Sequence, residues 1–481
     1  MIEAGNVVPA RVQIDRMLQK RKQDAGVIRA KGLLEFRSGR YREAEELLDR
    51  ARKLSPDHPM IPIDQALVHQ RRGRYPEMID SVRRAMRRHP DRTEIRSLLV
   101  EALVSAGRLD EAEDELKRFN AERPLDQKLA EGLTRVLDLQ GRREEAIETI
   151  DRILAVQSGS AWVRRRLLLR KGRILEKLQE YDRAMEAWRE GHDAVPVEFD
   201  PDAFDARVDA VLDRLRAATF DPPTTDAGRT ELPVMIVALP RSGTSLTERV
   251  LAAHPSVVGI GETSIISETI REHRDRFPED PMVDILDASP DLVERTRYEA
   301  LARIRDLGGA AERVVSKHLQ NWSYLPVIAT WFPAGRVIRI TRDPAATGVS
   351  IFGQDLPQDR MPWVARLDWI GRVMRAERRF VSEARKLVPN PWFDLEYESL
   401  VADPATVIPP LVESMGVGFD ERCLSPHESE SLERDAGEGQ RFNPTLSLHQ
   451  VRQPIGRSSI DRGDRWGDRL DDLRRAFDSG G

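Results

Sequence analysis

The hydrophobic pattern changes character near residue 200. Before that point one motif recurs, Gly-x-Tyr/Leu-x-x-Ala. It runs Gly39-Arg40-Tyr41-Arg42-Glu43-Ala44 in one copy and Gly107-Arg108-Leu109-Asp110-Glu111-Ala112 in another. Gly39, Gly73, Gly107 and Gly141 are 34 residues apart, and Pro56, Pro90 and Pro124 keep the same step. The glycine marks a tight turn between two helices, the small alanine lets the second helix approach the first, and the proline ends it. A fifth copy, with Tyr181, Ala184, Trp188 and Pro196, fits after a four-residue insertion near 157–160. Five copies exceed the roughly three needed to stack a continuous core. The pattern predicts an all-α solenoid over residues 1–200, with repeats from about residue 25.

After residue 200 the pattern alternates. Apolar positions at Phe204, Val208, Val211, Leu212 and Leu215 predict a helix over 202–219, and Asp221-Pro222-Pro223 breaks it. Residues 201–221 therefore read as a connecting helix and linker, and 222–481 as a second domain. There Val234–Leu239, Arg313–Ser316, Arg336–Thr341 and Trp392–Leu395 are short apolar strands. Helical stretches such as Ser245–Ala253 and Val364–Leu387 lie between or beside them. Such alternation predicts a parallel sheet with helices on both faces, whose ligands sit at the carboxyl ends of the strands.

Composition narrows the function. Lys+Arg 76 against Asp+Glu 81 gives a net charge of −5, which excludes a polycation holding nucleic acid by bulk charge. Residues 1–200 carry 40 basic and 36 acidic side chains, a net of +4, which leaves −9 for the remainder. Cofactor affinity in the second half must then come from local donors rather than the overall field. A single cysteine, Cys423, excludes an internal disulfide framework and any multi-cysteine metal site. No His/Asp/Glu cluster has ligand spacing, so no metal is expected. No apolar run approaches a membrane span, and the start lacks the pattern of a signal peptide, so the expected location is cytoplasmic. Residues 71–96 hold nine arginines and four acids, which suits either a dock for acidic polypeptide or a solvated face. The solvated face is favoured, because arginine is abundant throughout and only ten lysines occur.

The first predicted strand runs into Pro240-Arg241-Ser242-Gly243-Thr244-Ser245. A small-residue turn opening a helix points backbone N–H groups at a ligand, and the helix dipole favours an anion. The hydroxyls of Ser242, Thr244 and Ser245 and the charge of Arg241 complete a phosphate cradle. No Gly-Lys-Ser/Thr follows, so it is not the loop of a nucleoside triphosphatase. Arg342 leaves another strand end, and Ser350 lies about two helical turns further on, a fork of donors suited to a phosphate. Lys317 also stands at a strand end and is one of only two lysines in this half.

The first half resembles the tetratricopeptide repeat, whose arrays usually bind a peptide or a protein partner. The second half, over roughly 222–475, resembles the sulfotransferases that use 3′-phosphoadenosine 5′-phosphosulfate (PAPS). The nearest likeness is to tyrosylprotein sulfotransferases and bacterial repeat-fused sulfotransferases. The resemblance implies that 241–245 bind the 5′-phosphosulfate and that Arg342 and Ser350 bind the 3′-phosphate. It gives Lys317 the bridging oxygen and sulfuryl group. Glu262, in Gly259-Ile-Gly261-Glu262-Thr263, matches the proposed general base of the tyrosylprotein enzymes. His318 is the alternative base, since small-molecule sulfotransferases use a histidine near this lysine, though at two residues' distance rather than one. Ser447, Arg452 and Arg457 resemble the loop that closes over the cofactor. Tyr397-Glu398…Asp403-Pro404 resembles a family segment read as structural.

The expected architecture is multidomain: an all-α tetratricopeptide solenoid followed by an α/β P-loop-like parallel-sheet sulfotransferase domain. The expected reaction moves a sulfuryl group from PAPS to a hydroxyl acceptor, with the acceptor open among a peptide tyrosine, a glycan, a lipid headgroup and a small alcohol. The rivals are a nucleotide-dependent kinase and a repeat scaffold with a catalytically weak nucleotide-binding domain. The missing Gly-Lys-Ser/Thr counts against the kinase, and retention of Lys317, Glu262 and the cradle counts against the scaffold.

Overall fold

The computed structural model describes residues 7–426 apart from 38–40, 73, 91, 123–126, 156–159, 221 and 223, together with 455–456 and 460–479. It forms two compact units, the first ending at Val195 and the second beginning at Pro196.

In the first unit, α1 (Val7–Lys20) precedes five helix pairs. They are α2 and α3 (Ala25–Arg37, Tyr41–Leu54), α4 and α5 (Ile61–Arg71, Tyr75–Arg88), α6 and α7 (Thr93–Ser105, Leu109–Glu122), α8 and α9 (Gln127–Leu139, Arg143–Ala155), and α10 and α11 (Ala161–Lys177, Tyr181–Asp193). The alanines expected at close approaches, Ala44, Ala112 and Ala184, are all fully buried, and so is Ala146. Gly39, Gly73 and Pro124 lie outside the described residues, and the other two turn glycines form the expected turns. Gly107 lies at φ +74° and donates to the Val104 carbonyl, while Arg108 donates to Leu103. Gly141, at φ +81°, repeats both bonds with Asp138 and Leu137. This paired cap satisfies the last carbonyls of the first helix and reverses the chain. The fifth pair makes the same two bonds, but the residue in the left-handed position is Gln179, at φ +64°. The insertion near 157–160 has moved the turn, and no glycine stands there.

Polar links stitch successive repeats together. Arg29 pairs with Asp64, Arg142 with Glu113 at 2.7 Å, Arg166 with Glu131 at 2.8 Å and Lys177 with Asp138 at 2.7 Å. The arginine-rich stretch is engaged in the same way. Arg72 and Arg74 pair with Glu45, Arg83 with Glu111 and Arg88 with Asp57, while Arg96 donates to the Pro90 carbonyl and lies over the Phe119 ring.

The second unit opens with α12 (Pro201–Ala217), the helix expected between the domains. It packs on the long helix Leu367–Leu387. Asp202, Asp205 and Asp209 share one face of α12, and they meet Arg372, Arg375 and Arg379 of that helix. Five parallel strands follow: β1 (Pro233–Val237), β2 (Val257–Gly259), β3 (Arg313–Ser316), β4 (Arg336–Thr341) and β5 (Trp392–Glu396). Their order is β2-β3-β1-β4-β5. β1 is buried at every position, as a central strand covered on both faces must be. The chain leaves β1 through α13 (Thr244–Ala252) toward β2, then crosses back to β4 on the other side. The carboxyl end of β1 is therefore the switch point where such sheets open a crevice. Among the described residues no helix is long and apolar enough to cross a membrane.

Candidate active site

Strand order gathers the candidates. Reading across the carboxyl edge, Glu262 follows β2, Lys317 follows β3, the 240–245 loop follows β1, and Arg342 follows β4. Neighbouring strands are about 4.8 Å apart, so residues 80 positions distant in sequence become neighbours.

The loop after β1 is held in an unusual backbone shape. Arg241 lies at φ +69°, a region costly for any residue with a Cβ, and Gly243 lies at φ +101°. Gly243 caps α13, whose first-turn N–H groups have no partner within the helix. Ser242 and Thr244 are buried and Ser245 half-buried. A Cβ on Gly243 would stand 2.3 Å from the Tyr397 ring, so only glycine fits.

Arg241 and Arg342 are locked together. The Arg342 Nη1 donates to the Arg241 carbonyl at 2.6 Å, and the Arg241 Nε donates to the Ser350 hydroxyl at 3.1 Å. The Arg342 guanidinium lies over the Tyr397 ring, 4.4 Å from its centroid. Burial presses the Arg342 pKa below its usual value, yet an arginine stays charged at any working pH. The cradle and the Arg342/Ser350 pair thus form one hydrogen-bonded assembly. Beside it lies a cavity of about 500 Å³ whose lining includes Ser242, Arg342 and Thr347. The Thr347 hydroxyl is buried and has no protein partner among the described residues. A buried hydroxyl left this way, a glycine-only loop and two arginines are a donor set chemically suited to an anion.

Lys317 is 2% exposed. Its ammonium donates to the Glu262 carboxylate at 2.8 Å and stands 3.9 Å from Glu248. Glu248, on α13, accepts the Gly261 N–H at 2.6 Å, and Gly261 in turn accepts the Lys317 N–H at 3.0 Å. Burial pushes the Glu248 pKa up, partly offset by Lys317 and the Gly261 N–H. One cation thus sits between two carboxylates at a strand end.

Among the described residues His318 is not hydrogen-bonded to this group, although the charges of Glu262 and Lys317 act on it. Its ring lies 5.9 Å from that of Tyr324, and its Nδ1 accepts the Gln320 N–H at 3.3 Å. The lone pair on Nδ1 is therefore in use. Burial pushes its pKa down, and nearby Glu262 works against that. Ser447, Arg452 and Arg457 lie outside the described residues.

Two residues escaped the sequence reading. Tyr397, taken there as structural, carries Arg342 and fills the space beside Gly243. Its position one residue past β5 was the available signal, since strand ends line the crevice. Glu248 is hidden inside a helix, and nothing local distinguishes it from any surface acid.

Among the described residues no group of three or more His, Cys, Asp or Glu side chains is placed to hold a metal ion.

Residues 233–421 match the sulfotransferase family, and residues 29–77 and 69–135 match two tetratricopeptide repeat families. An uncharacterized protein of Aquifex aeolicus (strain VF5) is 26% identical over 307 residues, 61% of this chain. The chain covers 39% of the length of that curated relative. Solved structures similar to part of the chain include YrrB, described as a TPR protein with an unusual peptide-binding site. It is 17% identical, with 38% of this chain and 92% of that one covered, at a TM-score of 0.30. A tetratricopeptide repeat protein from Parabacteroides merdae ATCC 43184 is 16% identical, with 41% and 75% covered, at a TM-score of 0.33. The chain thus joins a tetratricopeptide repeat array to a sulfotransferase-family domain.

Proposed function

We propose that the C-terminal unit moves a sulfuryl group from PAPS to a hydroxyl acceptor, with Glu262 as general base and Lys317 as the cation at the leaving oxygen. The observation that carries this reading is the order along the carboxyl edge. The 240–245 loop lies after β1, Arg342 after β4, and a lysine–glutamate pair on the other side, after β3 and β2. A donor with two separate anionic groups suits that layout.

In this reading Ser242, Thr244, Ser245 and the first N–H groups of α13 hold the 5′ anion, and Arg342 with Ser350 holds the 3′-phosphate. PAPS supplies an activated sulfuryl group, with adenosine 3′,5′-bisphosphate as its leaving group. Lys317 stabilises charge that appears only as the bond breaks, so it acts on the transition state more than the ground state. Glu262 takes the proton of the acceptor hydroxyl. Glu248 is a positioning residue, holding the Gly261 turn that presents Glu262 to Lys317. His318 is the weaker candidate base because its Nδ1 is occupied. The array binds a protein partner. The arginines at 72–96 that pair within it do not favour an acidic-peptide dock at that place. With one cysteine and no disulfide framework, the reading places the protein in the cytoplasm.

Adenosine 3′,5′-bisphosphate should raise the melting temperature far more than adenosine 5′-phosphate does. At a hundredfold excess over Kd, binding to the native state alone adds about 2.7 kcal/mol. Thermal unfolding with each nucleotide tests it, and equal shifts would remove the 3′-phosphate site.

A further inference from the structure

We propose that a second cavity in the C-terminal unit, about 210 Å³ in volume, receives the body of the acceptor. The structure assigns it a hydroxyl compound built on a single aromatic ring with a negatively charged substituent. This rests on the sulfuryl-transfer reading and names its substrate class.

Three observations carry it. The walls are aromatic in a chain with only 6% aromatic residues. Phe199, Phe204, Trp322, Trp363 and Phe380 line the space. Phe204 and Trp322 lie 6.4 Å apart in a tilted pair, and Trp322 meets Phe380 edge-on at 5.8 Å. Such walls favour a flat ring, which stacks on some faces and meets others by its edge. A packing fault in the core would be closed, but Phe199 and Phe204 are only half-buried, and Gln320 and Arg360 stand exposed at the rim.

The second observation is proximity. Leu319 and Gln320 line the cavity and follow Lys317 by two and three residues. A chain spans at most about 3.6 Å per residue, so this wall lies within roughly 7–11 Å of the Lys317 backbone. A ring in the cavity would therefore sit close along the chain to the strand end that carries Lys317.

The third concerns size and charge. An apolar cavity of about 150 Å³ holds one benzene ring, so 210 Å³ suits one substituted ring and excludes a fused polycycle. Of the two arginines on the lining, Arg207 is engaged by Asp280 at 2.6 and 3.1 Å. Arg360 has no acidic partner among the described residues. Among the described residues the rim therefore carries one positive charge without an acidic partner, which favours an anionic substituent.

The test measures binding of 4-hydroxyphenylacetate by calorimetry with adenosine 3′,5′-bisphosphate present, and of tyramine, which has the same ring and the opposite charge. The acid should bind more tightly than the amine. Val208→Phe, which fills the cavity from α12, should weaken the acid tenfold or more. Gln320→Trp, which closes the mouth from an exposed position, should do the same if Val208→Phe does not fold. Arg360→Gln should narrow the gap between acid and amine by a few-fold, as expected of an exposed charge. The proposal is overturned if the acid does not bind, or binds equally well to a folded filling variant. Loss of bisphosphate binding with the acid still bound would instead remove the sulfuryl-transfer reading and leave the cavity as a ring site.

Discussion

Among the described residues, two with side chains sit in the left-handed backbone region, one in each unit: Gln179 in the array and Arg241 in the loop after β1. They cost similar amounts, about 1–2 kcal/mol each. At Gln179 the neighbouring repeats show what the position requires, because Gly107 and Gly141 fill the same turn with the same pair of hydrogen bonds. The Gln179 side chain adds nothing the turn needs. At Arg241 the side chain holds Ser350 and the backbone carbonyl holds Arg342. Strain is functional where the side chain that causes it is also used. In a periodic array it marks only a lapse in the period.

Arg241→Gly and Gln179→Gly therefore relieve the same strain with opposite consequences. The first should cost the most. Arg241→Gly removes a charge-assisted contact at the cradle, each such bond being worth about 1.5–3 kcal/mol, so affinity for adenosine 3′,5′-bisphosphate should fall roughly 10- to 100-fold. Calorimetric titration measures it. Unchanged affinity would make the strained loop a purely structural feature.

Buried acids sharpen the contrast. Burial raises the pKa of Asp64 in the array, but Arg29 pairs with it directly. In the C-terminal unit Glu377 is pushed up to about 7 by burial, only partly offset by Arg339 and Arg378. The folded state then holds a proton that the unfolded state, at 4.5, has lost. Stability must fall as pH rises through that interval. The full shift corresponds to at most about 3 kcal/mol, and less because Glu377 lines the cavity beside Arg342. Glu377→Gln should flatten the decline in denaturant-measured stability between pH 5 and pH 7. A variant that keeps the wild-type slope would show that Glu377 is not the group responsible.

The smallest effect belongs to the array. Gln179→Gly should raise stability by about 1 kcal/mol, the gain from relieving αL strain less the entropy glycine adds to the unfolded chain. Bisphosphate affinity should not change. A loss of stability would mean that Gln179 makes a contact worth more than the strain it causes.

The same contrast explains what the sequence revealed. A repeat is visible because each copy confirms the others, so the turn glycines Gly107 and Gly141 and the buried alanines were legible. Strands β1, β3, β4 and β5 were legible as apolar runs. β2 was not, because three residues are too few to show a period. In the C-terminal unit the loop and the strand-end cations could be placed along the chain, but their order across the sheet could not. That order brings Glu262 to Lys317 across 55 positions and Tyr397 to Arg342 across another 55. Glu248 shows the limit most plainly, since its role comes from a turn that folds back over it.

The most direct test of the account is transfer of label from radiolabelled PAPS to 4-hydroxyphenylacetate or to a panel of other hydroxyl acceptors, comparing the wild type with Glu262→Gln. Glutamine keeps the size and hydrogen bonding of Glu262 but accepts no proton. The account predicts transfer by the wild type and a loss of roughly 10²–10⁴ in kcat for the variant, with bisphosphate affinity preserved. A Glu262→Gln protein as active as the wild type, or a wild type that leaves all label on the nucleotide, would contradict it.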